Sequence, residues 1–145
     1  MTPTARGSPL GIVFRRLDAD LERRAAARLL PDCDLEEHRS ACDWYGLCDL
    51  TETGNSGLAG VAVVRSLEPG TSCLCALGMS AHYRGGRLGR RLVREVADRL
   101  RASGVEEITA PAALDDRVAG LLRRAGFAFR ASTQEGGSGW LSLPL

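Results

Sequence analysis

A glycine-rich turn between an apolar run and an amphipathic segment constrains this chain more than any other feature. Residues 84–91 read Arg-Gly-Gly-Arg-Leu-Gly-Arg-Arg and follow an apolar run at 71–79 that has strand character. From Leu88 onward, leucine and valine recur at helical spacing, which predicts a helix over 88–102. A turn that enters a helix in this way presents backbone N–H groups and the positive end of the helix dipole to an anion. The segment therefore predicts a phosphate site at a strand-to-helix turn.

Arginine is concentrated around this turn. Residues 84–101 hold seven arginines against two acidic residues, in a chain whose formal charge is only +1. Solvation of a helix face accounts for Arg91, Arg94 and Arg101. The arginines at the helix start lie where the helix dipole disfavours cations, so their placement makes sense if an anion binds between them.

The remaining pattern predicts one mixed α/β domain. Predicted strands span 11–17, 44–50, 58–67, 71–79, 105–110, 127–131 and 140–143. The first predicted helix is capped by Asp18 or Asp20 and runs to Leu29. Three more helices are predicted over 34–42, 88–102 and 114–125, and the last two end at glycines 104 and 126. The order β-α-α-β-β-β-α-β-α-β-β indicates a central mixed, mostly antiparallel sheet flanked by helices. We expect residues 1–9 to be a disordered lead-in and residues 10–145 to form the domain.

Composition excludes several classes of protein. No run approaches the ~18 apolar residues of a membrane span, and the first nine residues lack the apolar core of a secretion signal. Five cysteines without a Cys-x-x-Cys motif, beside only two histidines, argue against a disulfide framework or a metal site. We therefore expect a cytoplasmic protein without a bound metal, in which Cys73 and Cys75 act as small packing residues.

Two segments, together with the element order, resemble the GNAT superfamily of acyl-CoA-dependent N-acetyltransferases. Residues 77–92, Leu-Gly-Met-Ser-Ala-His-Tyr-Arg-Gly-Gly-Arg-Leu-Gly-Arg-Arg-Leu, are similar to the family's apolar strand end followed by Arg/Gln-x-x-Gly-x-Gly/Ala. Residues 121–127, Leu-Leu-Arg-Arg-Ala-Gly-Phe, are similar to its helix-to-strand ending in Gly-Phe. The resemblance covers about residues 11–143 and implies acetyl-CoA as co-substrate. It also implies direct attack of a neutral primary amine on the thioester, in a ternary complex.

The resemblance implies a set of cofactor-binding residues. Backbone groups of Leu77 and Met79 would meet the pantetheine arm and the acyl carbonyl. The pyrophosphate would be held by a loop formed of Arg84, Gly85, Gly86, Arg87, Leu88, Gly89 and Arg90. The chain departs from the family at two positions: Arg87 stands where the first motif glycine is usual, and Leu122 stands where many members have a tyrosine acid.

Few side chains are available for proton transfer. His82 and Tyr83 follow the apolar strand end, and Tyr45 lies on another predicted strand, so these three are the candidate catalytic residues. A cysteine base at Cys73 or Cys75 is a weaker candidate. The acceptor class stays open between a small molecule, a peptide and a protein.

Two other functions remain to be weighed. Leu122 leaves a catalytically weak or inactive CoA-binding regulatory or partner-binding domain as the alternative. A nucleic-acid-binding role depends only on the arginine-rich helix, and the near-neutral charge and missing aromatic platform disfavour it. We expect no membrane partner. Residues 140–145 are compatible with pairing across a homodimer interface.

Overall fold

A seven-stranded sheet in the order β1-β2-β3-β4-β5-β7-β6 is the frame of the protein. The computed structural model describes residues 11–30, 42–50, 57–81, 87–111, 116–130 and 139–145. The strands are β1 (Ile12–Arg16), β2 (Asp43–Asp49), β3 (Leu58–Glu68), β4 (Thr71–Met79), β5 (Glu107–Pro111), β6 (Ala128–Arg130) and β7 (Trp140–Pro144). The helices of the described ranges are α1 (Asp20–Ala27), α2 (Leu88–Ala102) and α3 (Asp116–Arg124).

Strand direction confirms the mixed, mostly antiparallel sheet. Every neighbouring pair is antiparallel except β4 and β5, which run parallel because α2 connects them as a crossover. The predicted limits of β4 and α2 agree with the structure to the residue. Gly104 at φ +98° and Gly126 at φ +111° end α2 and α3, because a left-handed backbone is accessible to glycine.

Helices cover both faces of the central strands, and each face has its own apolar core. On one face, Tyr45, Leu47 and Val64 pack beneath α2, whose own contribution is Leu92, Val93, Val96, Ala97 and Leu100. On the other face, Trp44 and Val61 pack against the end of α1. Side chains that alternate between two buried faces make β2 and β3 almost continuously apolar.

The first helix differs from its prediction at both ends. Neither Asp18 nor Asp20 caps it, so that prediction was wrong: Ala19 is the N-cap residue, and its N–H donates to Glu22 Oε1 at 3.3 Å. The helix ends at Ala27, where tighter i to i−3 hydrogen bonds replace the helical ones. The predicted lead-in and nearly all of the predicted helix 34–42 lie outside the described residues.

Candidate functional site

Strand β4 is paired on both edges along only part of its length. Its first three residues pair with β5, from Thr71↔Glu107 to Cys73↔Thr109. Pairing with β3 continues on the other edge as far as Gly60↔Met79. Beyond Cys73 the described strands β4 and β5 therefore separate, and residues 74–79, the open half of β4, have no strand partner on that edge. An extended ligand could pair with such an edge as an added strand does.

A β-bulge lies at the point where the two strands separate. Val64 pairs with Leu74 and Val63 pairs with Ala76, so Cys75 is an extra residue on β4. A bulge bends its strand and increases the local twist. The bend at Cys75, two residues after the last β4–β5 pair, accounts for the opening.

The open half is held firmly on its other sides. Leu77 and Met79 pack into the core beneath α2. On the opposite face, Gly78 approaches the end of α1 so closely that a methyl group there would overlap the carbonyl oxygen of Leu29. Sequence reasoning missed Gly78, although a lone glycine inside a strand is the usual signal of a close backbone approach.

The N-terminus of α2 receives no cap from its own N-cap side chain. Arg87 is the N-cap residue, its side chain makes no capping hydrogen bond, and the first turn of the helix contains no acidic residue. The first amides of any helix lack intrahelical acceptors, and here the Arg91 N–H bonds to the Arg87 carbonyl at 3.0 Å. Arg87 and Arg90 are exposed beside these amides. The arrangement fits a pyrophosphate, which needs N–H donors and positive charge together.

The backbone conformation of Arg87 accommodates a side chain where the family pattern usually has a glycine. Arg87 has φ −81° and ψ −7°, a right-handed conformation that any side chain adopts without strain. Glycine is therefore not required there, and the arginine adds positive charge instead.

Gly89 has a different role from the one its motif position suggests. It is buried, and a Cβ there would lie 2.9 Å from Cδ2 of Leu121 on α3. The missing side chain lets the first turn of α2 pack against α3, so Gly89 positions the helix N-terminus. Leu88 is half-buried and packs against the same core.

Tyr45 is packed in the core beneath α2. Its side chain is only 4% exposed, its ring stacks on Phe14 at a centroid distance of 5.5 Å, and the Arg99 guanidinium lies 5.8 Å from its centroid. Burial is the main cause that raises the pKa of the Tyr45 hydroxyl. These contacts are packing contacts, and a catalytic role for Tyr45 stays a prediction.

The other predicted site residues divide into those described and those not described. Of the described residues, Leu77 and Met79 belong to the end of β4, and Arg87, Leu88, Gly89 and Arg90 belong to the N-terminus of α2. Five predicted residues lie outside the described part of the chain: His82, Tyr83, Arg84, Gly85 and Gly86. Leu122 is fully buried in the core beneath α2, so an aliphatic packing residue occupies that position.

Within the described part of the chain, no group of three or more histidine, cysteine, aspartate or glutamate side chains is arranged to hold a metal ion. None of the described helices has the length and apolar character needed to cross a membrane.

Solved structures of acetyltransferases share this fold. An acetyltransferase from Bacillus subtilis in complex with CoA is 17% identical, with a TM-score of 0.68, over 92% of this chain and 99% of that chain. A GNAT family acetyltransferase from Elizabethkingia anophelis with acetyl-CoA bound is 12% identical, with a TM-score of 0.70, over 93% and 99%. A chain of the NatC complex bound to Gag peptide and CoA is 18% identical, with a TM-score of 0.70, over 93% and 99%.

The family itself is shown by comparison of the sequence with family models. No curated protein matches the chain closely enough to count as a relative. The model of the acetyltransferase (GNAT) family, however, matches residues 14–127, which is most of the chain. With the fold in agreement with that match, the chain belongs to the GNAT acetyltransferase family.

Proposed function

We propose that the protein transfers an acetyl group from acetyl-CoA to a primary amine by direct attack in a ternary complex. The observation that supports this most is the open half of β4 together with the N-terminus of α2, whose N-cap side chain makes no capping hydrogen bond. An extended thioester arm needs the first feature, and a pyrophosphate needs the second. Acetyl-CoA would supply the activated acyl group.

Each part of the site has a distinct task in this proposal. The helix amides, with Arg87 and Arg90, hold the pyrophosphate. Backbone groups of Leu77 and Met79 align the arm along the strand edge, and an N–H near Met79 donates to the acyl carbonyl. Such a donor stabilises the negative charge that develops on the oxygen during attack. Because the strand is fixed by α1 and α2, these donors need little reorganisation.

Proton transfer is the part of the reaction with the fewest residues available to perform it. Leu122 cannot donate a proton to the departing thiolate. We propose that His82, Tyr83 or Tyr45 supplies the acid or base function. Single substitutions to glutamine or phenylalanine, with kcat measured against pH, would identify which one: loss of one limb of the profile marks the residue.

The proposal leaves open which kind of molecule carries the acceptor amine. One structural neighbour, the NatC complex, binds a peptide, so a peptide N-terminus belongs in the acceptor screen beside small amines and lysine side chains. A cytoplasmic location and a homodimer remain our predictions, which cell fractionation and sedimentation would test. Pairing across an interface through residues 140–145 is largely precluded, because β7 is paired with β5 along its whole length and with β6 at residues 140–142.

Calorimetric titration with acetyl-CoA, beside CoA and ATP, tests the cofactor assignment. We expect micromolar affinity for acetyl-CoA and much weaker binding of ATP. A panel of amines, followed by release of the CoA thiol, then tests catalysis. Binding without turnover on any amine would favour the non-catalytic CoA-binding alternative, and binding of neither CoA species would contradict the proposal.

A further inference from the structure

Arg94 differs from its neighbours along α2. After Arg90, which the proposed function places at the pyrophosphate, the helix contains four more arginines. Arg91 donates to a carbonyl of β1 at 3.0 Å, Arg99 lies over two aromatic rings, and the Arg101 guanidinium lies 3.9 Å from a carboxylate oxygen one turn earlier. Arg94, which was expected on a solvated helix face, is exposed and makes no hydrogen bond, ion pair or ring contact with the described residues. Its positive charge is therefore available to a ligand.

Arg94 lines a cleft that α2 forms with the end of α3 and the end of β7. Arg124 lines the same cleft from the last turn of α3, and it likewise makes no ion pair with a described residue. The helix dipole favours a cation at Arg124, but it provides no reason for one in the middle of α2. Because two unpaired cations on one cleft repel each other, an anion bound between them would be stabilised.

Aliphatic side chains also line the cleft. Val93 and Ala97 contribute from α2, and Leu143 and Pro144 contribute from β7. The cleft encloses about 210 Å³, which is less than the ~300–1,000 Å³ of pockets that take a whole small molecule. None of the described lining residues is aromatic, so they offer no ring on which a base could stack. The size and chemistry of the cleft fit one or two side chains of an acidic peptide better than a nucleotide or a cofactor.

The cleft lies toward the end of the sheet that is opposite to the open half of β4. Pro144 pairs with Glu107, the first residue of β5, whereas the open half lies beyond the last pair that β4 makes with β5. Nearer the start of α2, the first turn of that helix packs against Leu121 of α3 at Gly89. Of the described residues assigned to the acyl-CoA site, Arg90 alone also lines the cleft. The cleft is therefore a second site, and its occupation does not depend on the proposed function.

We propose that this cleft docks an acidic segment of a partner protein. Arg94 and Arg124 bind carboxylates of the segment, because a planar guanidinium donates two parallel N–H groups to a carboxylate. An apolar side chain of the segment, placed between its carboxylates, packs on the aliphatic wall that β7 supplies. Asp98 is the one acidic side chain among the described lining residues, and it lies beside Arg101, so the charge of the other arginines is not cancelled.

Fluorescence anisotropy with three labelled peptides and the full chain tests the proposal. The first peptide is Glu-Asp-Leu-Glu-Asp-Leu-Glu-Asp, the second has serine in place of leucine, and the third has glutamine and asparagine in place of the acidic residues. We expect saturable binding of the first peptide that weakens as the salt concentration rises, and about tenfold weaker binding of the other two. Equal binding of the serine peptide, or no binding of the first peptide, would overturn the proposed occupant.

Charge reversal on the two helices that line the cleft separates docking from overall charge. Arg94→Glu and Arg124→Glu should each lower the affinity for the first peptide by about tenfold or more, the effect of losing one charged hydrogen bond. Arg123→Glu is the matched control, because Arg123 is the exposed neighbour of Arg124 in the last turn of α3 and does not line the cleft. It changes the net charge by the same amount and should leave the affinity near that of the wild type. Equal losses in all three variants would contradict docking in the cleft.

Two further titrations distinguish the cleft from the acyl-CoA site and from a nucleic-acid surface. Arg94→Glu and Arg124→Glu should bind acetyl-CoA as the wild type does, and a loss as large as the loss of peptide affinity would assign the cleft to the cofactor instead. A single-stranded oligothymidylate should bind more weakly than the first peptide, and tighter binding that depends on the same two arginines would overturn the proposal. If the wild type binds no acetyl-CoA, the proposed function fails, while the peptide titration still decides the cleft.

Discussion

The two halves of β4 differ in one property. Residues 71–73 are hydrogen-bonded to strands on both edges, whereas residues 74–79 are paired only with β3. The open half is nevertheless packed on both faces, because the end of α1 contacts it at Gly78 and the core beneath α2 contacts it at Leu77. The binding edge arises where a fixed strand lacks one set of partners, so its donors are oriented before a ligand arrives.

The largest effect is expected where α1 meets the open half. Gly78→Ala would place a methyl group on the Leu29 carbonyl, so α1 or β4 must shift. Overpacking of this kind costs about 3 kcal/mol of unfolding free energy, measured by urea denaturation. Gly120→Ala on α3 is the control, since its new Cβ lies 3.5 Å from Arg124 Nη1, and helix propensity should raise stability by up to about 1 kcal/mol. Equal stability of Gly78→Ala and wild type would contradict the close approach.

A second substitution separates helix position from strand geometry. Gly89→Leu forces the first turn of α2 away from Leu121 and moves the amides that receive the pyrophosphate. We expect about 1–3 kcal/mol of destabilisation and acetyl-CoA affinity lower by about a hundredfold. Gly120→Leu is the matched change on α3. Calorimetry should show near wild-type affinity for Gly120→Leu, and retained affinity of Gly89→Leu would argue against a pyrophosphate at this turn.

Charge reversal tests the two ends of α2 against each other. Arg90→Glu should weaken acetyl-CoA binding by about tenfold or more, the value of a charged hydrogen bond, and most strongly at low salt. The same change should raise the melting temperature, because an acidic side chain suits a helix N-terminus. Arg101→Glu at the other end should lower the melting temperature and leave affinity unchanged. If both variants weakened acetyl-CoA binding to the same extent, overall charge rather than the helix N-terminus would hold the ligand.

The smallest effect concerns the anchor of α1 on β1. Arg15 donates to the Glu22 carboxylate, and this hydrogen bond is the main cause that lowers the Glu22 pKa. Because the pKa of Glu22 is lower in the folded than in the unfolded protein, its carboxylate stabilises the fold at pH values above the unfolded pKa. This stabilisation is lost as the pH falls through the folded pKa. Both side chains are partly exposed, so Glu22→Gln should cost less than about 1 kcal/mol at neutral pH. Arg15→Gln should lower the free energy of unfolding by the same amount. The double variant should be no less stable than either single variant, because both substitutions remove the same interaction.

Local patterns in the sequence were sufficient to predict β4 and α2. Helical periodicity from Leu88 and the glycine stop at Gly104 define α2 without reference to distant residues. The first helix was harder to predict, since Ala19 has no side-chain oxygen to mark it as the N-cap residue. Glu22, inside the helix, accepts a hydrogen bond from the Ala19 N–H instead.

The features that complete the site depend on contacts between segments far apart in the chain. Gly78 is constrained by Leu29, and Gly89 is constrained by Leu121. The bulge at Cys75 is a matter of register with β3, which composition does not encode. The sequence left open whether Arg87 would crowd a phosphate, and only its backbone angles decide the question.

Hydrogen exchange on β4 with and without acetyl-CoA tests the central claim most directly. The account predicts that amides facing the open edge within residues 74–79 exchange more slowly when acetyl-CoA is bound. Residues 71–73, already hydrogen-bonded on both edges, should exchange at unchanged rates. Unchanged exchange across residues 74–79, with acetyl-CoA bound, would contradict the assignment of this edge as the ligand's binding surface.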